Sequence, residues 1–329
     1  MDVNRICTTF SHLWYLESME AKIIRSSKRE FDCLILDKKQ EVKAVCLREI
    51  LKKEHPVVGD KVLLREMESD DRFEIYEVCE RQNEIFRRIV RSRKKKVIAS
   101  NLDAILIVTS VSKPEYKPFL IDRYITRTVQ WNIPAIVIFN KMDEFDNQFD
   151  LEFEKKKFES LGVNYFEISN EVNSRYFSQV EDLRSLLRGK TTICLGQSGV
   201  GKSRLISSLS GGEIELLSAR LAKGVEKGAH TTTWAELIDL GEFFMVDSPG
   251  VRTLSIADIS PDELIECFPD LEPLFGQCKF KDCRHEKKSK GCYFNELNEE
   301  NLEDLITLHR LHAYKKMREE AETIPDWQR

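Results

Sequence analysis

The rhythm of apolar and polar positions changes three times along the chain. Between residues 17 and 97 the apolar runs are short. Residues 31–36 and 42–47 read as strands, and 57–64 as a turn leading into another. Within 73–78, Phe73, Ile75 and Val78 interleave with Glu74 and Glu77, close to the alternation of a half-buried strand. Four or five short strands in this stretch predict a small β-barrel. Between 98 and 256 the runs lengthen. Residues 104–109 and 135–140 are continuously apolar up to their last position, as parallel strands covered on both faces require. Residues 119–131 lie between them with helical spacing, and 191–195 and 242–247 supply two more strands. This alternation predicts a doubly wound α/β domain. Residues 257–329 read as helical around an irregular insert of Cys and His. There, Asn298 is placed to cap a long helix whose apolar face is Leu302, Leu305, Ile306, Leu308 and Leu311. The expected division is a β-module over 1–97, an α/β domain over 98–256 and a helical domain over 257–329. Residues 1–16 show no assignable feature.

Composition narrows the class. At 41% hydrophobic and 33% charged, the chain has the make-up of a soluble protein. No apolar run approaches the roughly 18 residues that span a bilayer. The first ten residues lack the order of a secretory signal, so a cytoplasmic protein with no membrane partner is expected. Nothing suggests an obligate dimer, and a monomer is expected. The net charge of −5 does not advertise a nucleic-acid partner, but its distribution is uneven. Between residues 22 and 96, 21 Lys and Arg stand against 15 Asp and Glu, a local excess of +6. Arg87, Arg88, Arg91, Arg93, Lys94, Lys95 and Lys96 close that stretch with no acidic residue among them.

Gly196-Gln197-Ser198-Gly199-Val200-Gly201-Lys202-Ser203 fits the phosphate-loop pattern, follows a strand, and runs through Arg204 into a candidate helix. Glycines let backbone N–H groups fold around phosphates. Lys202 is placed to neutralise the β and γ oxygens, and the Ser203 hydroxyl to ligate Mg²⁺. Such a loop does not choose a base. Asn140-Lys141-Met142-Asp143, also after a buried strand, does: a buried Asp143 carboxylate accepts from guanine N1–H and the exocyclic amine, whereas adenine sets a lone pair against it. Lys141 would cover the base with its stem, and Asn140 would brace the loop. Ser169-Asn170 follows the strand of 165–168 and is a weaker candidate for contact with the base.

Asp247-Ser248-Pro249-Gly250 ends a strand where an acid holds Mg²⁺ through water and a glycine N–H meets a γ-phosphate. Thr231, Thr232 and Thr233 lie upstream, and Thr232 is a candidate to complete the Mg²⁺ shell. Val251 stands where many GTPases carry the glutamine that orients the attacking water. His230 is the polar candidate to replace it, against the plainer role of a loop histidine that only packs or hydrogen-bonds. Slow turnover without a partner is expected. The parts run in the order base motif, phosphate loop, threonine loop, Asp247-x-x-Gly250. That order is a circular permutation of the usual one, and it joins the γ-phosphate sensor to the C-terminal domain.

Cys278, Cys283, His285 and Cys292 make C-x4-C-x-H-x6-C, a closed set of three thiolates and one imidazole of the structural zinc type. Unliganded thiols are the alternative. Lys279, Lys281, Arg284, Lys287, Lys288 and Lys290 make the knuckle basic, which suits phosphate contacts. The other six cysteines, Cys7, Cys33, Cys46, Cys79, Cys194 and Cys267, are scattered and read as buried thiols.

Together these motifs resemble the RsgA family, the circularly permuted GTPases that depend on the small ribosomal subunit. The resemblance rests on the β-rich N-terminal module, 140–143, 196–203, His230-Thr231-Thr232, 247–251 and the Cys/His set, and covers nearly the whole chain. It implies an N-terminal OB-fold, a permuted Ras-like domain and a zinc domain. It also implies GTP hydrolysed to GDP with stimulation by the small subunit late in its assembly, and contact with its rRNA. Two departures stand out: Ala229 replaces the usual basic residue before the histidine, and the spacing from His285 to Cys292 is slightly longer than usual.

Overall fold

The computed structural model describes residues 18–67, 70–89, 94–211, 235–247, 256 and 258–323. Five N-terminal strands, β1 (Met19–Ser26), β2 (Glu30–Ile35), β3 (Gln40–Cys46), β4 (Lys61–Met67) and β5 (Asp70–Val78), follow the order β1-β2-β3-β5-β4, and β1 pairs with β4 to close the barrel. A short helix, α1 (Arg48–Lys53), links β3 to β4. This is the OB-fold. Its interior is filled by Ala21, Ile23, Phe31, Cys33, Ile35, Val62, Leu64 and Ile75, mostly residues two apart on their strands.

β6 (Glu84–Ile89) and β7 (Lys94–Ser100) form a separate antiparallel hairpin that sets Arg87 opposite Lys96 and Arg88 opposite Lys95. The described part of the cationic stretch is therefore a β-ribbon. Position 97 lies inside β7, and Ile85 and Ala99 pack into the core of the following domain. Trp131 Nε1 donates to Phe86 O at 3.2 Å across the same boundary.

The α/β domain contains β8 (Ala104–Ser110), α2 (Pro118–Gln130), β9 (Ala135–Asn140), α3 (Leu151–Ser160), β10 (Asn164–Ile168), α4 (Ser178–Leu187), β11 (Thr191–Leu195), α5 (Lys202–Leu209), β12 (Glu236–Asp239) and β13 (Phe244–Asp247). Its strand order is β10-β9-β8-β11-β13-β12, parallel except for the β12–β13 pair. All seven residues of β8 are buried, which explains the unbroken apolar run. Barrel and domain meet edge to edge: β1 pairs with β12 through Arg25 and Glu236, and the Arg25 Nε also reaches Glu236 Oε1 at 2.7 Å. Lys22, half-buried at that seam, donates to Thr191 Oγ1 at 2.9 Å, and burial pulls its ammonium below the ordinary lysine value.

In the C-terminal domain, α6 (Glu272–Phe275) precedes the Cys/His insert, and α7 (Leu302–Thr323) packs Leu311, Tyr314 and Met317 into a core with Phe268 and Phe294. Asn301, not Asn298, caps α7: its Oδ1 accepts from the N–H groups of Glu303 at 3.0 Å and Asp304 at 3.1 Å. The Asn298 Oδ1 accepts from Glu300 N in the preceding turn. Leu302 is consequently left on the outside, 45% exposed, while the buried stripe starts at Ile306.

This domain grips α2 through buried charge. Arg310, 1% exposed, donates to Asp122 Oδ1 at 2.8 Å and reaches Asp270 Oδ2 at 2.9 Å. Asp122 also faces Lys157 Nζ at 3.7 Å; Lys157 pairs with Glu154 at 2.6 Å, and Glu154 accepts from the Tyr116 hydroxyl at 2.5 Å. Arg127 on α2 pairs with Asp258, whose other oxygen accepts from Arg88 N at 3.2 Å. Asp258 thus ties α2 to the basic hairpin.

Candidate functional site

The C-terminal ends of the parallel strands gather the chemistry, as open α/β sheets do. Ser110, Asn140 and Ile168 are level at the ends of β8, β9 and β10. Asp247 follows the Ile193–Val246 pair by one position, beside the strand that leads into Gly196. The central strand β11 feeds the loop 196–201, and α5 starts at Lys202.

The two sequence motifs meet. Asn140 Nδ2 donates to Val200 O at 2.8 Å, and its Oδ1 accepts from Asn170 Nδ2 at 2.9 Å. Asn140 is therefore a strut between the base loop, the phosphate loop and 169–170. Lys141 adopts the left-handed conformation at φ 66°, and its ammonium donates to Lys113 O. The Asp143 carboxylate accepts from Ser169 Oγ at 2.5 Å. Asp143 is exposed rather than buried as the sequence suggested, so its carboxylate is open to a ligand. Asn170 Oδ1 is buried with no hydrogen-bond partner among the described residues, an acceptor suited to a ligand N–H beside the base loop. These observations suit a guanine edge. Behind them, Phe139 packs among Phe149, Phe158 and Tyr116, and Tyr116 stacks on Phe149 at 4.1 Å. The aromatic floor holds the end of β9 in place.

In the phosphate loop, Gly199 and Gly201 have φ +84° and +96°. Lys202 Nζ folds back onto the carbonyls of Gly196 at 2.7 Å and Gln197 at 2.8 Å. Ser198 and Ser203 lie on the same loop and first helical turn, and Arg204 points away to Glu171 at 2.8 Å. Beneath the loop, burial pushes the Cys194 thiol up to about 12, so it stays protonated and inert. His230, Thr231, Thr232, Gly250 and Val251 lie outside the described residues. Met142 is buried and anchors the base loop.

Cys278, Cys283, His285 and Cys292 converge, their ligand atoms all within 4.8 Å of one another. A tetrahedral zinc site has S–S edges of about 3.8 Å and S–N edges of about 3.5 Å. Here Cys278 Sγ lies 4.0 Å from Cys292 Sγ and 3.4 Å from His285 Nδ1, and Cys292 Sγ lies 3.8 Å from His285 Nδ1. The four residues fit a zinc ion. Burial, and then the charges of Lys315 and Arg318, hold the His285 imidazole below its ordinary value, favouring the neutral form that ligates. Phe275 packs on the ring at 4.1 Å, and Lys315 donates to the His285 carbonyl.

Sequence reasoning missed three participants: the Lys113 carbonyl, the Tyr116–Phe149 floor and the Lys315 brace. The first is a backbone atom that any side chain could carry. The others look like ordinary core and surface residues in sequence.

Fold and site together define a P-loop GTPase with circularly permuted parts. The family model for the RsgA GTPase matches residues 78–257. A small ribosomal subunit biogenesis GTPase RsgA from Bacteroides fragilis is 31% identical over 270 residues, covering 80% of this chain and 84% of that protein. Its counterpart from Flavobacterium johnsoniae is 31% identical over 276 residues, covering 82% of each. Among solved structures, YjeQ from Thermotoga maritima aligns with a TM-score of 0.70 at 24% identity, over 93% of this chain and 99% of that one. YloQ, described as a circularly permuted GTPase, aligns at 0.66 and 23% identity, over 95% and 98%. The chain belongs to the RsgA GTPase family.

Proposed function

We propose that this chain hydrolyses GTP to GDP and phosphate, stimulated by the small ribosomal subunit, and acts as a checkpoint late in the assembly of that subunit. The observation that carries the reading is the Asn140 strut, which joins a guanine-type motif to a phosphate loop at 2.8 Å. In this reading Asp143 and Asn170 receive the base edge, and Lys141 covers it. Backbone N–H groups of Gly196, Gln197, Ser198, Gly199, Val200 and Gly201 cradle phosphate. Lys202 leaves the Gly196 and Gln197 carbonyls for the β and γ oxygens, and Ser203 and Asp247 would hold Mg²⁺, which would neutralise charge developing on the phosphates. Thr232 and Gly250 sense the γ-phosphate, and His230 orients the attacking water in place of the missing glutamine.

The RNA-facing surfaces are the barrel of β1–β5 in the N-terminal module of 1–97, the Arg87/Lys96 ribbon and the basic zinc knuckle within 257–329, with the GTPase domain of 98–256 between them. The relatives are named for small-subunit biogenesis, which supports this partner. The chain acts as a cytoplasmic monomer.

The test is steady-state GTP turnover alone, with purified small subunits and with large subunits. Small subunits should accelerate it well above the rate of the chain alone, as an organising partner does for a GTPase. Stimulation by another partner and none by the small subunit would sink the reading. A binding-only placeholder is the rival. It predicts that Lys202→Ala, which removes nucleotide binding, leaves subunit maturation intact.

A further inference from the structure

The zinc knuckle carries more than phosphate-neutralising charge. Between Cys278 and Cys292 lie six Lys and Arg against two carboxylates, Asp282 and Glu286. All six cations are exposed, and none has an ion-pair partner among the described residues. In their midst Phe280 is 50% exposed, the one aromatic among the exposed large hydrophobics of the described residues. Inside the knuckle, Phe275 and Phe294 flank the His285 ring at 4.1 and 5.1 Å, and Phe280 is not among them.

The backbone at Phe280 is also tied down. It sits between two of the four clustered metal-type ligands, and its carbonyl accepts from Cys283 N at 3.2 Å. On its other side, Lys279 N donates to Gly291 O at 2.9 Å. A Cβ on Gly291 would stand 2.8 Å from Lys279 Cβ, so only glycine lets the two arms of the knuckle close at this point. The Lys279 ammonium lies 5.7 Å from the Phe280 ring centroid, a loose contact that an incoming ring can displace.

An outward-facing aromatic on a tethered backbone, flanked by two lysines, is the pattern that holds an unpaired nucleotide: the base stacks on the ring and the adjoining phosphates meet the ammonium groups. A duplex keeps its bases stacked inside and would use only the charges. A membrane surface would need a broader apolar face than one side chain. We propose that Phe280 is a stacking platform for a single unpaired RNA base, with Lys279 and Lys281 contacting the flanking phosphates. The proposal rests on the RNA-binding reading above and assigns part of that binding to one side chain.

The experiment uses the full-length, zinc-loaded protein and a fluorescein-labelled oligouridylate, whose bases are weakly self-stacked, beside a blunt RNA duplex of equal length. Phe280→Ala should weaken oligouridylate binding by about 10-fold, within the range that stacking one base supplies, and leave duplex binding unchanged. Phe280→Leu, which keeps apolar bulk but no ring, should behave like alanine. Phe280→Trp should restore binding, and its added fluorescence should be quenched by the oligonucleotide. Zinc content and basal GTP turnover should be unchanged in all three. Leucine binding as well as phenylalanine, or alanine weakening both RNAs equally, overturns the platform. So does capture by anionic phosphatidylserine vesicles with no single-strand preference. If small subunits stimulate turnover normally in the wild type while every Phe280 variant binds oligouridylate like the wild type, the platform fails alone. If subunits do not stimulate the wild type at all, the functional reading fails with it.

Discussion

A Cβ on Gly201 would stand 2.4 Å from Asn140 Nδ2, a side chain that braces both halves of the nucleotide site. Gly201→Ala should therefore damage base recognition as well as phosphate recognition, although position 201 touches no base. The φ of +96° adds strain for any side chain. Affinity for a fluorescent guanosine triphosphate analogue should fall by at least about 100-fold, comparable to the loss of a hydrogen-bonded strut plus backbone strain. Circular dichroism should remain that of the wild type. Retained affinity would mean that Asn140 relaxes away at no cost.

The Asp143 carboxylate should set the base. Its exposed position leaves one oxygen free while Ser169 Oγ holds the other at 2.5 Å. In Asp143→Asn an amide N–H faces the ligand, which opposes the guanine amine but suits a carbonyl at the same ring position. Competition binding should show preference moving from guanine to xanthine nucleotides by about 100-fold or more. An unchanged preference would remove Asp143 from the base site.

A zinc ion on the Cys/His cluster should be readable in thiols. Burial pushes Cys33 up to about 12 and Cys46 and Cys267 up to about 11, so these thiols react slowly at neutral pH. Chelation should free Cys278, Cys283 and Cys292, raising the titratable thiol count by three in a thiol-disulfide titration and releasing one zinc per chain. A titre that does not change on chelation argues for unliganded thiols.

Arg310 should be the costliest single charge to remove. Its loss leaves Asp122 with only Lys157 at 3.7 Å and strips Asp270 of its partner. Arg310→Leu should destabilise the fold by about 3 kcal/mol, measured as a lower urea midpoint. Arg310→Leu with Asp122→Leu and Asp270→Leu should recover much of that loss, because the stranded charges go with it. A triple variant no more stable than the single one would show that packing, not charge, sets the cost.

The continuously buried strands and the two nucleotide motifs were legible because burial and phosphate chemistry leave few sequence solutions. Both flanks of β8 are covered, so its apolar run is unbroken. β1 was harder: a register shift between Ile23 and Arg25 buries Ile23 and Ile24 in succession, which erases the alternation that marks a strand. The hairpin of β6 and β7 hid behind its charge, since its outward positions are lysine and arginine. At α7, Asn298 and Asn301 compete for the cap and only side-chain geometry separates them. The exposure of Asp143 was illegible because it depends on how far the base loop stands off the sheet. His230 and Thr232 lie outside the described residues, so their reading rests on sequence alone.

Strand order has a consequence during synthesis. β8 pairs with β9 on one side and with β11 on the other, yet β11 leaves the translating ribosome only after the segment from 111 to 190. At about 5–20 residues per second, the row of backbone N–H and C=O groups on that edge of β8 stays unpaired for roughly 4 to 16 seconds. An unpermuted order would make the phosphate-loop strand first and offer it to each newcomer as a template. Here the nascent guanine half must wait with a bare edge. The safe passage of β8 therefore depends on the pace of translation.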